Sequence, residues 1–328
     1  MRCTPEVDAA LREGRPVVAL ESSVLAQGLP IPANREAASR MIAAVRGRGA
    51  IPAITAVDRG APAAGLDDAA LARFLGRDGV RKVSARDLGW AAAHGVDGAT
   101  TVAASLVLAT LAGIEVFATG GIGGVHREPA FDESADLLEL ARAPMVVVCA
   151  GAKSILDLPA TVERLETLGV AVVGYRTGEF PGFFTAETGL ALDATAETAT
   201  ELALAWRAHR ALERPGSLLV VQPPPSPLPR RAVEEAVGRA LAEARAAGVR
   251  GARVTPFLLA AVERETGGRS LAANLALLER NAALAAEIAV AILEIDAARA
   301  APADGERVPE GRTDARLLGA RDAPMPRE

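Results

Sequence analysis

Short, almost wholly apolar runs recur along the first two-thirds of this chain, at 16–20, 51–57, 115–119, 145–149, 170–175 and 217–222. Each is too short to be a buried helix and is dominated by Val, Ile, Leu and Ala. Each therefore reads as a strand covered on both faces. Helical patterns separate them, at 34–46, 67–75, 98–111, 137–141, 159–168 and 196–212, after a first short helix at 5–13. Strands that alternate with helices can pair in parallel, because each helix carries the chain back across a face of the sheet. The expected fold class is α/β, a three-layer α/β/α arrangement with a central mostly parallel sheet.

Past Gln222 the pattern changes. Pro223-Pro-Pro225 stops the last strand, and helices are expected at 230–247, 256–266 and 271–298. They form a helical C-terminal third that wraps the sheet. One domain is expected over 1–298. From Arg299 onward Pro, Gly and charge dominate without periodicity, so 299–328 reads as a disordered tail. Locally, Asn34 is expected to cap its helix and Ser84 with Asp87 to form a capping box.

Only two of the 36 Lys and Arg residues are lysine, Lys82 and Lys153; all the others are arginine. A lysine can lose its proton where an arginine cannot: free Lys titrates near ~10.4, Arg above ~12. Burial can yield a neutral amine that attacks carbonyl-type carbon. Lys153 follows the run Met145-Val-Val-Val-Cys-Ala-Gly-Ala, which places it at the mouth of a core strand. The competing reading is a solvated surface lysine. Lys82 lies in a loop just before a helix N-terminus, a place that favours anions, or is simply a loop cation.

Other residues carry weaker signals. Glu21 ends the first apolar run, and carboxyl ends of strands are where open α/β sheets place active sites; a turn or capping carboxylate is the alternative. Gly120-Gly-Ile-Gly-Gly124 is a flexible backbone that could cradle phosphate, though it lacks GxGxxG spacing. Asp132, Glu133 and Asp136 could hold a hard cation, or form an acidic helix N-terminus favoured by the macrodipole; spacing alone favours the latter. Phe180, Phe183 and Phe184 are expected to plug a core gap rather than to lid a pocket. Asn274 sits on a largely apolar helix, where a buried amide needs partners.

The net charge of −5 and the absence of a basic tract argue against a nucleic acid polymer as partner. The two cysteines, Cys3 and Cys149, lie far apart, so no disulfide framework is expected. No signal-like start and no uninterrupted apolar stretch of about 18 residues is visible, so no membrane segment is expected and a cytoplasmic protein is.

These stretches together resemble the pseudouridine-5′-phosphate glycosidase (pseudouridylate synthase) family, from about Pro5 to Ala298. The resemblance rests on Pro16-Val-Val-Ala-Leu-Glu21-Ser, Lys82-Val-Ser-Ala-Arg-Asp-Leu88 and Gly98-Ala-Thr-Thr-Val-Ala103. It rests equally on Phe117-Ala-Thr-Gly-Gly-Ile-Gly-Gly-Val-His-Arg127, Cys149-Ala-Gly-Ala-Lys-Ser-Ile-Leu-Asp157 and Thr255-Pro-Phe-Leu-Leu259. It implies reversible cleavage of the C–C glycosidic bond of pseudouridine 5′-phosphate to uracil and ribose 5-phosphate. By resemblance Lys153 is the nucleophile that forms a Schiff base with C1′, and Glu21 the general acid. Lys82 would contact phosphate or sugar. Asp132 would hold a divalent ion, usually manganese, largely through waters. Ser134, Ala135 and Asp136 match a substrate-binding run, and Val102, Thr119, His126 and Asn274 match pocket positions. A homotrimer is likewise implied. The chain departs from the family pattern at Gln27, where His is usual, and at Gln222, where Asn is usual. The alternatives are a class-I-type phosphosugar aldolase or lyase using the same amine, and a non-catalytic nucleotide-binding protein. A dinucleotide oxidoreductase is disfavoured, because no GxGxxG follows the first strand.

Overall fold

The computed structural model describes residues 1–128, 131–249 and 254–300. Its strands are β1 (Arg2–Cys3), β2 (Val17–Leu20), β3 (Ile51–Asp58), β4 (Ala61–Ala64), β5 (Arg81–Val83), β6 (Gly98–Thr100), β7 (Val116–Ala118), β8 (Val125–His126), β9 (Val146–Cys149), β10 (Leu156–Asp157), β11 (Ala171–Tyr175), β12 (Thr195–Ala196) and β13 (Leu218–Val221). Its α-helices are α1 (Pro5–Arg12), α2 (Ala33–Arg46), α3 (Asp68–Gly76), α4 (Leu88–Ala93), α5 (Val102–Ala112), α6 (Ala135–Leu140), α7 (Leu158–Thr167), α8 (Ala199–Ala211), α9 (Arg230–Ala246), α10 (Val254–Glu265) and α11 (Arg269–Ala300).

The main sheet runs β1-β4-β3-β2-β7-β9-β13-β11-β12. From β3 to β12 every neighbouring pair is parallel. The apolar runs predicted as doubly covered strands are so: β2, β7, β9 and β13 are buried at every position. Which face each helix covers follows from the handedness of the crossovers, which is right-handed in nearly all such units. The steps β2 to β3 and β11 to β13 move one way along the sheet, and β7 to β9 and β9 to β11 move the other. So α2 and α8 lie on one face and α6 and α7 on the opposite one. The long α11 packs on α2, α8 and the central strands, completing the first layer, while α5 packs on α6 in the second. This is the α/β/α arrangement expected from the sequence, with the C-terminal helices closing it.

The strand order reverses at β2. The chain goes out from β2 to β3 and returns on the far side as β7. Open α/β sheets bind ligands at such a switch, in the crevice at the carboxyl ends of the strands.

Several local expectations are corrected. Asn34 does not cap α2; Pro32 holds that position. Asn34 is the second residue of the helix and is buried, and its Nδ2 donates to the carbonyls of Leu25 and Leu75, each at 3.0 Å. Bridging two buried carbonyls outweighs capping a single orphan amide. The stretch 98–100 opens as a strand, β6, and Thr101 then caps α5. Small residues read alike in either state, so the sequence cannot separate them. Lys82 accordingly sits on a strand, β5, and not in a loop. The Ser84–Asp87 capping box is present, on the 3₁₀ turn that leads into α4. The strand β4, Ala-Pro-Ala-Ala, has no strand signature of its own and is held by antiparallel pairing to β3. Arg299 and Ala300, expected in the tail, continue α11. The rest of that tail, 301–328, lies outside the described residues.

Candidate active site

Glu21 is the first residue past β2, at the reversal point. The backbone there is fixed from beneath by hydroxyls. Ser22 Oγ donates to the Thr55 carbonyl at 2.7 Å and accepts from the Thr100 amide at 2.8 Å. Glu21 is 5% exposed. A carboxylate so buried needs donors for its oxygens, and it has them. Ser23 Oγ donates to Oε2 at 2.6 Å, and the Thr119 hydroxyl donates to Oε1. Thr119 is the first residue past the neighbouring strand β7. Its carbonyl accepts from Asn281 Nδ2 of α11 at 2.8 Å, and Asn281 in turn accepts from Gln222 Nε2 at 2.9 Å. Glu21 is thereby held by groups from two adjacent strand ends.

Lys153 comes from the next strand along. The loops that follow β7 and β9 extend the parallel ladder: Ile122 N donates to the Gly151 carbonyl at 3.0 Å, and Lys153 N to the Ile122 carbonyl at 3.1 Å. This fixes the Lys153 backbone while leaving its side chain half-buried at the crevice. Its Nζ donates to the Gly121 carbonyl at 2.8 Å.

Glu21 and Lys153 line one cleft of about 410 Å³, in the size range of a small-molecule site. Lys82, Val102, His126, Asp132, Ser134, Ala135, Asp136 and Asn274 line it as well. Residues expected from six separate stretches of sequence therefore converge. Thr119 is the exception: it is fully buried behind Glu21, off the cleft wall, with its hydroxyl committed to the carboxylate. Among the described residues, a groove of about 430 Å³ between α2 and α11 has Arg48, Glu279 and Arg280 as its only ionic groups, and no nucleophile.

The two lysines share this cleft and repel. Lys82 stays solvent-exposed as a whole, yet it is pushed below the ordinary lysine range. Desolvation by the concave wall is the larger cause and the Lys153 charge the next, partly offset by Asp136 and Glu21. Cys149, at the end of β9, is fully buried, and burial pushes its thiol up to about 12. It is inert as a nucleophile at neutral pH.

The acidic run divides into three roles. Glu133 pairs with Arg164 at 2.9 Å. Asp136 is buried, and its carboxylate accepts from the Ala103 amide at 2.9 Å and the Gly123 amide at 2.8 Å. It clasps the start of α5 to the glycine loop. Asp132 keeps a half-open carboxylate on the cleft, with Oδ2 at 3.3 Å from His126 Nδ1. Among the described residues no three His, Cys, Asp or Glu side chains converge as a metal cage. The set fits a hard cation only if one carboxylate, water and ligand oxygens complete its shell.

The glycine loop is packed rather than open. The amides of Ile122 and Gly123 are spent on Gly151 and Asp136. A Cβ on Gly121 would lie 2.5 Å from the Phe183 ring, and one on Gly123 would lie 2.2 Å from Ser134 Oγ. The glycines let loop, ring and helix start approach closely, which explains them without a phosphate cradle. The three phenylalanines are buried, as a plug should be, but Phe183 also forms part of the cleft wall.

Asn274 is 7% exposed, and its Oδ1 has no hydrogen-bond partner among the described residues. The same holds for the buried Oε1 of Gln27, whose Nε2 donates to the Val80 carbonyl at 3.3 Å. Residue-by-residue reading of the sequence missed Ser23, Asn281 and the cleft contribution of Phe183. Ser23 could have been found, as a hydroxyl two positions after a strand-end carboxylate. Asn281 could not, because its target is a backbone carbonyl 162 positions earlier.

A mostly parallel sheet whose switch point brings an amine and a shielded carboxylate to the walls of one cleft has the architecture of an α/β enzyme with a small-molecule site. The chain belongs to the family described as indigoidine synthase A like protein, whose model matches residues 6–291. It is 64% identical over 295 residues to the pseudouridine-5′-phosphate glycosidase of Gemmatimonas aurantiaca, covering 89% of this chain and 96% of that one. It is 54% identical over 294 residues to the protein of the same name from Herpetosiphon aurantiacus, covering 88% and 97%. Among solved structures, a prealnumycin C-glycosynthase in complex with ribulose 5-phosphate superposes with a TM-score of 0.84 at 41% identity, covering 91% of this chain and 98% of that one. An indigoidine synthase A-like protein from Thermotoga maritima superposes with a TM-score of 0.80 at 38% identity, covering 85% and 93%.

Proposed function

We propose that this chain is a pseudouridine-5′-phosphate glycosidase: it reversibly cleaves the C–C glycosidic bond of pseudouridine 5′-phosphate to uracil and ribose 5-phosphate. The observation that carries this reading is the placing of Glu21 and Lys153 on one cleft, in a chain 64% identical to a glycosidase of that name.

The chemistry needs both groups. An ordinary glycosidase expels a heteroatom from an oxocarbenium-like centre. Here the leaving atom is C5 of uracil, which departs poorly as a carbanion. In our reading Glu21 gives a proton to the ring oxygen O4′ as the C1′–O4′ bond opens, and the Lys153 amine bonds to C1′. The proton that nitrogen then sheds is taken up at C5. The nitrogen lone pair forms C=N as the C1′–C5 bond breaks, and that electron pair returns to the uracil ring. Water hydrolyses the protonated imine, which frees ribose 5-phosphate and restores the amine, and the proton released returns to Glu21. Proton donor and nucleophile thus act at adjoining atoms of the sugar.

We assign the phosphate to Lys82, whose ammonium on the cleft wall favours an anion. The unpartnered oxygens of Asn274 and Gln27 suit N–H donors of the base. A divalent cation, Mn²⁺ by family resemblance, would be held by Asp132 and supply positive charge toward substrate oxygens. Removing divalent ions with a chelator is then expected to lower turnover, with Mn²⁺ restoring it in the native chain but not in Asp132→Asn; full turnover in chelator would remove the metal from the account. The homotrimer and cytoplasmic location remain parts of this proposal. Exposed Leu111 and Leu138, on the packed helices α5 and α6, support an interface there. No helix of the described residues is long and apolar enough to cross a membrane.

The test is direct. Pseudouridine 5′-phosphate is incubated with the protein, and free uracil and ribose 5-phosphate are followed by chromatography. Stoichiometric release of both is expected. A phosphosugar aldolase would leave the base attached, and a binding protein would leave the substrate intact.

A further inference from the structure

Arg127 follows His126 on β8 and points away from the cleft, under the loop that carries Lys153. Its Nε donates to the Leu156 carbonyl and its Nη2 to the Ser154 carbonyl, both at 3.1 Å. These carbonyls bracket the turn just after Lys153, which is itself closed by Leu156 N donating to the Lys153 carbonyl at 3.0 Å. The remaining donors form a two-pronged pair with Glu234 of α9, at 2.9 Å from Nη1 and 3.1 Å from Nη2. The helix packed on α9 is α10, and α10 brings Thr255, Pro256 and Leu259 to the cleft. One planar guanidinium thus ties the nucleophile loop to the helix pair that walls the cleft on another side. Lysine cannot reproduce this fork, since its ammonium is a single point donor on a flexible stem.

We propose that Arg127 is a positioning residue for Lys153: its two carbonyl contacts set where the amine stands. This rests on the imine reading of Lys153 given above. The turn carries no other side-chain donor to the Ser154 and Leu156 carbonyls among the described residues. Without the guanidinium the loop keeps its ladder contacts but loses the brace beyond Lys153. Misplacement of a reacting group by about 1 Å costs roughly 10²-fold in rate, so the effect belongs in the covalent step and not in affinity.

The test uses the full chain, ribose 5-phosphate and borohydride, which reduces the imine to a stable adduct on Lys153 read by mass spectrometry. This half-reaction needs no uracil. Native protein must form the adduct; if it does not, the imine reading itself fails, independently of Arg127. Given that adduct, Arg127→Ala is expected to trap roughly 10²-fold more slowly, with half-saturation by ribose 5-phosphate changed by less than about threefold. Millimolar methylguanidine should recover part of the rate. Glu234→Gln keeps the loop brace, so it should trap near the native rate. Should Arg127→Ala not fold, Arg127→Lys is measured in its place and is expected to be slowed as well. Native trapping rates in the Arg127 variants, or an equal loss in Glu234→Gln, would overturn the proposal.

Discussion

Lys82 and Lys153 are the two amines of an arginine-rich chain, and they end on the walls of one cleft. Their shared location gives Lys82 a testable titration. Its pKa is lowered, first by desolvation and then by the Lys153 charge, so its ammonium is lost at a lower pH than the ~10.4 of a free lysine. If that ammonium grips the substrate phosphate, kcat/KM falls as pH rises through this value, because the neutral form cannot hold the anion. The profile of kcat/KM reports groups of the free enzyme. Lys82→Arg, which stays charged, is therefore expected to start lower but to keep its value on the alkaline side. The same alkaline fall in both proteins would count against Lys82 as the phosphate ligand. The same scale explains what residue identity alone could not reveal. Three neighbouring acids, Asp132, Glu133 and Asp136, look interchangeable in sequence. Folding sets one beside a histidine, one against an arginine and one on two backbone amides.

At the level of elements, the sequence carried the layout because burial on both faces leaves a plain mark. The runs that became β2, β7, β9 and β13 are apolar throughout, and helices such as α2 and α7 between them are amphipathic, although α5 is apolar nearly all round. Where an element is defined by its partners, that mark vanishes. The strand β6 reads as the start of α5, and β4 reads as a loop, because Gly, Ala and Pro take their conformation from β3 beside them. The cleft was legible through its strand ends, Glu21 and Lys153, and less so through its supports, which come from distant helices. The glycine loop illustrates the second case, since its role is contact and not composition. Gly121→Ala would place a Cβ 2.5 Å from the Phe183 ring and 3.0 Å from the Gly151 carbonyl. Overpacking of this kind costs about 1–3 kcal/mol. Chemical denaturation should show that loss, together with reduced turnover as Phe183 is displaced into the cleft. Unchanged stability would mean that the ring has room that the packing denies it.

On the scale of the whole molecule, the sheet does two things at once. Its centre is a doubly covered apolar slab, and the reversal of strand order beside β2 opens a crevice that needs no separate domain to line it. Three consecutive strand ends supply carboxylate, hydroxyl and amine, while α10 and α11 bring polar and apolar groups over them. The family match ends at residue 291, before the end of α11. The aligned relatives are matched over nearly their whole length, 96% for the Gemmatimonas protein. A chain ended after Ala300 is therefore expected to keep native turnover and melting temperature, checked by the uracil assay and by thermal denaturation. A fall of more than about 2–4 °C in Tm, on the order of 1 kcal/mol for a protein of this size, would show that 301–328 belong to the fold.

The central claim is that the Lys153 amine becomes covalently joined to an opened ribose. Borohydride reduction in the presence of ribose 5-phosphate, followed by peptide mass mapping, tests it most directly. The account predicts a substrate-dependent adduct confined to Lys153, absent from a folded Lys153→Arg variant that also fails to turn over. Adduct on Lys82 instead, no adduct on the active native protein, or measurable uracil release by Lys153→Arg would contradict it.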